Sequence, residues 1–168
     1  MFVRAIATLA STAILLSATG LTAAVPDGPP PPSMHAAAID FVADVVGPYL
    51  TIQTALANDD LAPVAAAARS LQKSASTLGA EGKPLTAAAA KAAGATTLES
   101  ARAAFGDLST ALIGYADQTR QPVAGKIVAF CPMANKSWVQ GDGAIANQYY
   151  GKSMKTCGSS MRKLAPTQ

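Results

Sequence analysis

Three stretches of this sequence place apolar residues at alternating intervals of three and four, which is the spacing of one face of an α-helix. They run from Ile39 to Leu56, from Leu61 to Leu78 and from Leu98 to Tyr115. A shorter alanine-rich stretch covers Lys83–Ala93 and is followed by Gly94. Because matching apolar stripes joined by short loops bury one another, residues 34–120 are predicted to form an antiparallel three- to four-helix bundle, and the fold class is mainly α.

Local signals predict where these helices begin and bend. Gly47-Pro48 lies inside the first stretch and is expected to kink or split it, because proline removes a backbone donor. Asp59-Asp60 precedes the second stretch and is interpreted as its N-terminal cap rather than as a catalytic acid pair. Thr96 and Glu99 have the spacing of a capping box at the start of the third.

The core of this bundle is expected to be thin. Half of the residues are hydrophobic but only 5% are aromatic, so alanine supplies much of the apolar surface. Small side chains let helices approach closely but bury little area per residue.

The N-terminal residues have the layout of a secretory signal peptide. Arg4 precedes an apolar run from Ala5 to Leu16, and Thr22-Ala23-Ala24 offers small residues for cleavage after Ala24. We therefore expect residues 1–24 to be removed, leaving no stable membrane anchor and a periplasmic or secreted protein. Residues 25–33 are proline-rich and are predicted to be a semi-rigid linker.

The helical spacing of apolar residues does not continue into residues 121–168. They are predicted to form a small irregular α+β cap that packs with the bundle as one domain. Ile127–Phe130 is expected to be a strand that ends at Cys131, and Trp138–Gln140 a second short strand. One helical turn is expected within 144–150, ended by Gly151.

The cap is also basic: seven Lys and Arg residues oppose one Asp from Arg120 to the C-terminus. The charges are spread singly and no RNA-binding signature or recognition helix accompanies them, so neither nucleic acid nor anionic lipid is expected as a partner. A solvated surface or a partner with an acidic face fits this pattern better.

Four sulfur side chains in the cap suggest a soft-metal site. Cys131 and Met133 lie two apart, which puts them on one side of an extended chain, and Met154 and Cys157 lie three apart, which one helical turn brings together. Two thiolates and two thioethers select Cu(I) or Ag(I) over hard cations. Trp138 is expected to shield such a site.

A structural disulfide is the main alternative. The chain has only two cysteines, and two cysteines in an exported domain commonly pair. A Cys131–Cys157 bond would stabilise the fold by about 3–4 kcal/mol in the chain-entropy model. The cap would then belong to an exported protein-interaction module with no metal.

The motifs of residues 35–160 resemble those of an uncharacterised family of exported bacterial domains. The family carries a segment similar to Tyr49–Asp60, then a CPM motif, a tryptophan, an N-P-Y-Y/F-G motif and an M-x-x-C-G motif. The matching residues here are Cys131-Pro132-Met133, Trp138, Asn147, Tyr149-Tyr150-Gly151, Met154 and Cys157-Gly158, with Gln148 in place of the usual proline.

Family members stand alone or are attached to periplasmic adaptor subunits of CusB-type heavy-metal efflux pumps. The resemblance therefore implies copper or silver handling, with an efflux adaptor or another envelope protein as the partner. No adaptor domain is attached here, so an efflux role would operate in trans.

Nothing in the sequence predicts an enzyme. There is one histidine, His35, next to the linker, and no Ser/His/Asp set, Cys/His set or Gly-rich phosphate loop is evident. A metal-ligand role for His35 is the less favoured interpretation of that residue.

Overall fold

The structure, a computed structural model, describes residues 39–121 and 123–164. The predictions for the signal peptide 1–24, the linker 25–33 and His35 lie outside the described residues.

Four α-helices follow a single π-helical turn in the first part of the described chain, as the mainly helical prediction requires. The turn covers Phe41–Val46, and the helices are α1 (Gly47–Ala57), α2 (Val64–Ala75), α3 (Lys83–Ala93) and α4 (Leu98–Thr119). The bounds of α3 are the predicted ones. In the described part of the chain, no helix combines the length and the apolarity that crossing a bilayer requires.

The expected irregularity at Gly47-Pro48 takes the form of the π-helical turn. The Gly47 N–H donates to the carbonyl of Val42, five residues earlier, so the helix has the wider π-type hydrogen bond at this point. The next residue is Pro48, which has no N–H to donate. Asp40 caps this segment, because its carboxylate accepts hydrogen bonds from the N–H groups of Val42 and Ala43.

Two expected helix caps are wrong. The capping box of α4 uses Thr97 and Ser100, one residue further along than predicted, with reciprocal bonds of 3.1 Å. Asp59 does not cap α2: it adopts a left-handed backbone (φ 58°) and pairs with Arg102 on α4. Asp60 accepts from the Ala62 N–H in a local turn.

Alanines make up a large part of the buried helix surfaces. α2 packs against α3, and α3 packs against α4. Several alanines on these helices are fully buried: Ala68, Ala75, Ala89, Ala92, Ala101 and Ala116. Tyr49 and Phe105 are fully buried in this core and stack with their ring centroids 4.8 Å apart.

A three-stranded antiparallel sheet follows, in the order β2-β1-β3. Its strands are β1 (Lys126–Cys131), β2 (Lys136–Gly141) and β3 (Ser159–Lys163). The two predicted strands are present and the third was not predicted. The helical turn lies at Gly151–Met154 and not within 144–150, because Gly151 adopts a positive φ of 57° and starts the turn instead of ending it.

The helices meet the sheet along β2. The Val139 N–H and the Ser137 carbonyl point away from β1, as alternate residues of an edge strand do. Val139 donates to the Tyr49 hydroxyl at 3.0 Å, and the Tyr149 hydroxyl donates to Ser137 at 2.9 Å. The two tyrosine hydroxyls thus provide hydrogen-bond partners for backbone groups on the free edge of β2, and they connect that edge to α1 and to the 144–150 loop.

Candidate functional site

The two cysteine sulfurs are in contact. Cys131 Sγ and Cys157 Sγ lie 3.0 Å apart, with Cys131 fully buried at the end of β1 and Cys157 half-buried just before β3. The strand register explains this approach, because Phe130 pairs with Ser159 and the next residue of β1 therefore faces the residues that precede β3. We call these two residues the thiol pair.

The separation within the thiol pair is intermediate between two kinds of bonded arrangement. A disulfide bond is about 2.05 Å long, and two thiolates sharing a tetrahedral ion at about 2.3 Å each lie roughly 3.8 Å apart. At 3.0 Å, either arrangement is reached by a movement of about 1 Å or less. The backbone is thus placed for a disulfide and for a shared metal alike.

Gly158 makes the close approach possible. Its φ of 131° is one that L side chains rarely adopt, and a Cβ there would lie 2.7 Å from the Trp138 ring and 2.9 Å from the Phe130 carbonyl oxygen. Trp138 is fully buried and donates through Nε1 to Gln140. The Trp138 ring therefore packs directly against Gly158, the residue that follows Cys157.

Asn147 holds the loop that carries Cys157. It is fully buried, and its Nδ2 donates to the Cys157 carbonyl at 2.7 Å. Its Oδ1 accepts from the N–H groups of Tyr149 and Tyr150, and its own N–H donates to the Lys155 carbonyl at 2.6 Å. One residue thus closes 147–157 into a loop and delivers Cys157 to the end of β1.

An ion pair anchors the same loop to the helices. Arg102 on α4 pairs with Asp59, donates through Nε to the Gln148 carbonyl at 2.8 Å, and also reaches the Leu56 carbonyl. Asp59 accepts in turn from the Lys152 N–H at 3.2 Å. The hydrogen bond from Arg102 lowers the pKa of the Asp59 carboxyl below its ordinary value.

Further contacts show that the Tyr49–Asp60 segment faces this loop. Gln53, a buried polar residue of α1, donates to the Ala146 carbonyl at 2.6 Å. The hydroxyl of Tyr49 bonds Ser109 at 2.7 Å and accepts from β2. Burial raises the pKa of Tyr49, and raises the pKa of Tyr149 to about 12, so both hydroxyls remain protonated. The Tyr49–Asp60 segment therefore forms one side of an interface, and the loop that carries Cys157 forms the other.

The thiol pair is electrostatically asymmetric. Burial alone would raise the pKa of Cys131, but hydrogen bonds from the Cys157 thiol, from the N–H groups of Ala134 and Met133 and from Asn147 outweigh it and lower that pKa. The hydrogen bond to Cys131 raises the pKa of Cys157. These shifts favour the thiolate at Cys131 and the thiol at Cys157.

The structure brings together the two cysteines of the predicted four-sulfur set, while Met133 and Met154 lie on the segments that follow Cys131 and precede Cys157. Met133 is 63% exposed in the turn after β1. Met154 is half-buried, and its carbonyl accepts from the Cys157 N–H at 3.0 Å. Within 39–121 and 123–164, no group of three or more His, Cys, Asp or Glu side chains is placed to hold a metal ion. A metal at the thiol pair would therefore need other donors, and thioethers are the nearest in sequence.

The residues that support the pair could not be assigned that role from the sequence. Asn147 belongs to a predicted motif, but the motif does not reveal that it clamps the Cys157 loop. Nothing in the sequence around Arg102 indicates its role, because its partner Asp59 lies 43 residues earlier and resembles a helix cap.

One comparison with known proteins bears on the helices. Residues 45–122 match the model of a family described as "Protein of unknown function (DUF3347)". The match supports an uncharacterised domain over this part of the chain, including the helical side of the interface, and it ends before β1. No curated protein and no solved structure matches the chain.

Proposed function

We propose that this chain is an exported soft-metal-binding protein that takes up Cu(I) or Ag(I) at Cys131 and Cys157, with Met133 and Met154 as additional donors. The observation that carries the proposal is the contact between the two cysteine sulfurs, 3.0 Å apart at the end of β1. In this view an antiparallel helix bundle is the scaffold, and the C-terminal sheet and loop carry the site.

The chemistry of the donors supports a soft ion. A metal binds the thiolate and not the thiol, and the hydrogen bonds at Cys131 favour its thiolate. Thioethers complete sites for Cu(I), whereas structural zinc takes Cys, His or carboxylate ligands. Because the ligands must be thiolates, a Cu(I) ion would displace the thiol protons of the pair as it binds.

The proposed context is heavy-metal efflux, with a periplasmic adaptor or another envelope protein as the partner in trans. The basic surface of the C-terminal segment is partly neutralised within the chain, since Arg162 pairs with Asp117 and Lys163 with Asp142. These exposed pairs contribute little to stability, about 0–1 kcal/mol each. They reduce the positive charge available to an acidic partner.

A second candidate function is an exported protein-interaction module stapled by a Cys131–Cys157 disulfide. The complete burial of Cys131 favours it, because an inaccessible sulfur suits a structural bond. Closure of the pair would fix the loop that Asn147 already holds.

One experiment separates the two candidates. The protein is isolated from outside the cytoplasm under anaerobic conditions, and its bound metals and free thiols are measured together, with Cys157→Ser as the comparison. The metal proposal expects two free thiols and bound Cu(I) in the wild type, and loss of the metal in the variant. A metal-free protein with no free thiol, which also binds no Cu(I) after reduction, would support the disulfide module and reject the metal proposal.

A further inference from the structure

The two sulfurs of the thiol pair differ sharply in access to solvent. Cys131 has no exposed surface, whereas Cys157 is half-buried on the loop before β3. Ala129 and Trp138, the cross-strand pair two residues before Cys131 on β1, are fully buried as well. A reagent arriving from solvent therefore meets Cys157 and not Cys131.

From this arrangement we propose that the thiol pair is a modification site for low-molecular-weight disulfides, which react in a fixed order: Cys157 first, and Cys131 second. In the first step Cys157 passes its proton to the Cys131 sulfur in contact with it, attacks one sulfur of the external disulfide and forms a mixed disulfide; the expelled external thiolate takes up the proton from Cys131 and leaves as a thiol. In the second step the Cys131 thiolate attacks Cys157 Sγ and expels the second external thiol. The two protein thiols are oxidised, and one external disulfide is reduced to two thiols.

The geometry suits the second step. The attacking and receiving sulfurs are 3.0 Å apart before reaction, and bond formation requires an approach of about 1 Å. Asn147 keeps the Cys157 carbonyl in place through a 2.7 Å bond while the sulfur reacts. Cys131 is thus held beside the mixed disulfide, whereas an external thiol would have to reach it by diffusion.

Oxidation would also control the proposed metal site, a consequence that rests on the proposed function. A disulfide has no thiolate to offer, so the oxidised pair withholds both cysteine ligands from Cu(I). The proposal thereby assigns the site a thiol form that binds metal and a disulfide form that does not.

The test uses the metal-free, reduced full chain and oxidised glutathione. The reaction is quenched at intervals with an alkylating agent, and peptides are mapped for attached glutathione. We expect early glutathione on Cys157 in the wild type, followed by its loss as the internal disulfide forms. Cys131→Ser should retain glutathione on Cys157. Cys157→Ser should react at least about tenfold more slowly, because Cys131 becomes reachable only by local opening.

Both single-cysteine variants should react at equal rates in concentrated urea, which is the control for intrinsic thiol reactivity. Glutathione found first on Cys131 of the wild type would overturn the order of reaction, and this result does not depend on how either variant folds. Equal rates for the two variants in native buffer, with both shown to be folded by circular dichroism, would also overturn it.

The metal consequence is tested separately. Oxidised wild type that binds Cu(I) as tightly as the reduced protein would contradict the regulatory part of the proposal. If the reduced protein binds no Cu(I), the proposed function fails, while the order of thiol exchange is decided by the metal-free experiment alone.

Discussion

The side-chain amide of Asn147 donates a 2.7 Å hydrogen bond to the carbonyl oxygen of Cys157, the residue whose sulfur contacts Cys131. A buried amide thus controls the position of one member of the thiol pair through the backbone. Its side-chain oxygen accepts from the N–H groups of Tyr149 and Tyr150. The loop that delivers Cys157 is therefore organised around one side chain.

Replacing Asn147 with Ala should destabilise the reduced protein. The change leaves the Cys157 carbonyl and two backbone N–H groups without their partner in a buried setting, so we expect a loss of about 2–3 kcal/mol. Urea unfolding of the reduced protein measures it. Asn58→Ala is the matched control, because Asn58 is exposed and its bonds lie at the surface. Equal losses in the two variants would contradict the clamp role of Asn147.

Asp59→Asn should lose stability in a pH-dependent way. The folded pKa of Asp59 is lowered, mainly by the hydrogen bond from Arg102, so its charge stabilises the fold above the ordinary Asp pKa of about 3.9. That stabilisation is lost as the pH falls through the lowered folded pKa. Asparagine tolerates the left-handed backbone at this position, so the substitution mainly removes charge.

The stability difference between wild type and Asp59→Asn should therefore be largest near neutral pH and shrink under acid conditions. Denaturant unfolding at a series of pH values measures it. Asp60→Asn on the adjacent residue is the control and should show a smaller, flatter difference. A difference for Asp59→Asn that stays constant down to pH values below about 3 would contradict the role assigned to the ion pair.

Two glycine-to-alanine changes should have opposite signs. Gly151 has a φ of 57°, and a Cβ there would overlap the Asp59 carboxylate and the Arg102 guanidinium. Gly151→Ala should cost about 1–3 kcal/mol. Gly114 lies exposed within α4, with open space where a Cβ would stand. Gly114→Ala should stabilise by about 0.5–1 kcal/mol. Thermal unfolding measures both, and an unchanged melting temperature for Gly151→Ala would contradict the close packing of the loop on the ion pair.

The helices were predictable because their signals are local. The 3–4 spacing of apolar residues indicated the three longer helical stretches. The bounds of α3 followed from its alanine-rich composition, with Pro84 in its first turn and Gly94 after its last residue. The capping box of α4 was placed one residue early, since Thr96 and Thr97 offer the same hydroxyl and only the backbone geometry of the folded chain chooses between them.

β3 could not be predicted, since none of its residues is buried and Ser159–Lys163 has no apolar alternation. Its strand conformation comes from pairing with β1, a contact that local propensity does not encode. The cysteines of the site were identifiable because the chain has only two. Their supports were not, because Arg102 and Asn147 act through residues distant in sequence or through backbone groups.

The Cu(I) affinity of the fully reduced protein, measured by competition with a chromophoric chelator, is the decisive quantity for the four-sulfur site. The variant Met133→Leu/Met154→Leu keeps side-chain volume and apolarity, and such swaps usually cost less than about 1.5 kcal/mol of stability. Met161→Leu is the matched control, because Met161 is 62% exposed, close to the 63% of Met133, and lies on β3 outside the proposed donor set.

We expect one Cu(I) per chain in the wild type and in Met161→Leu, and an affinity at least about tenfold weaker in the double variant, or roughly 1.4 kcal/mol. A reduced wild type that binds no Cu(I) would contradict the metal site altogether. A double variant that binds as tightly as the wild type would contradict the four-sulfur donor set.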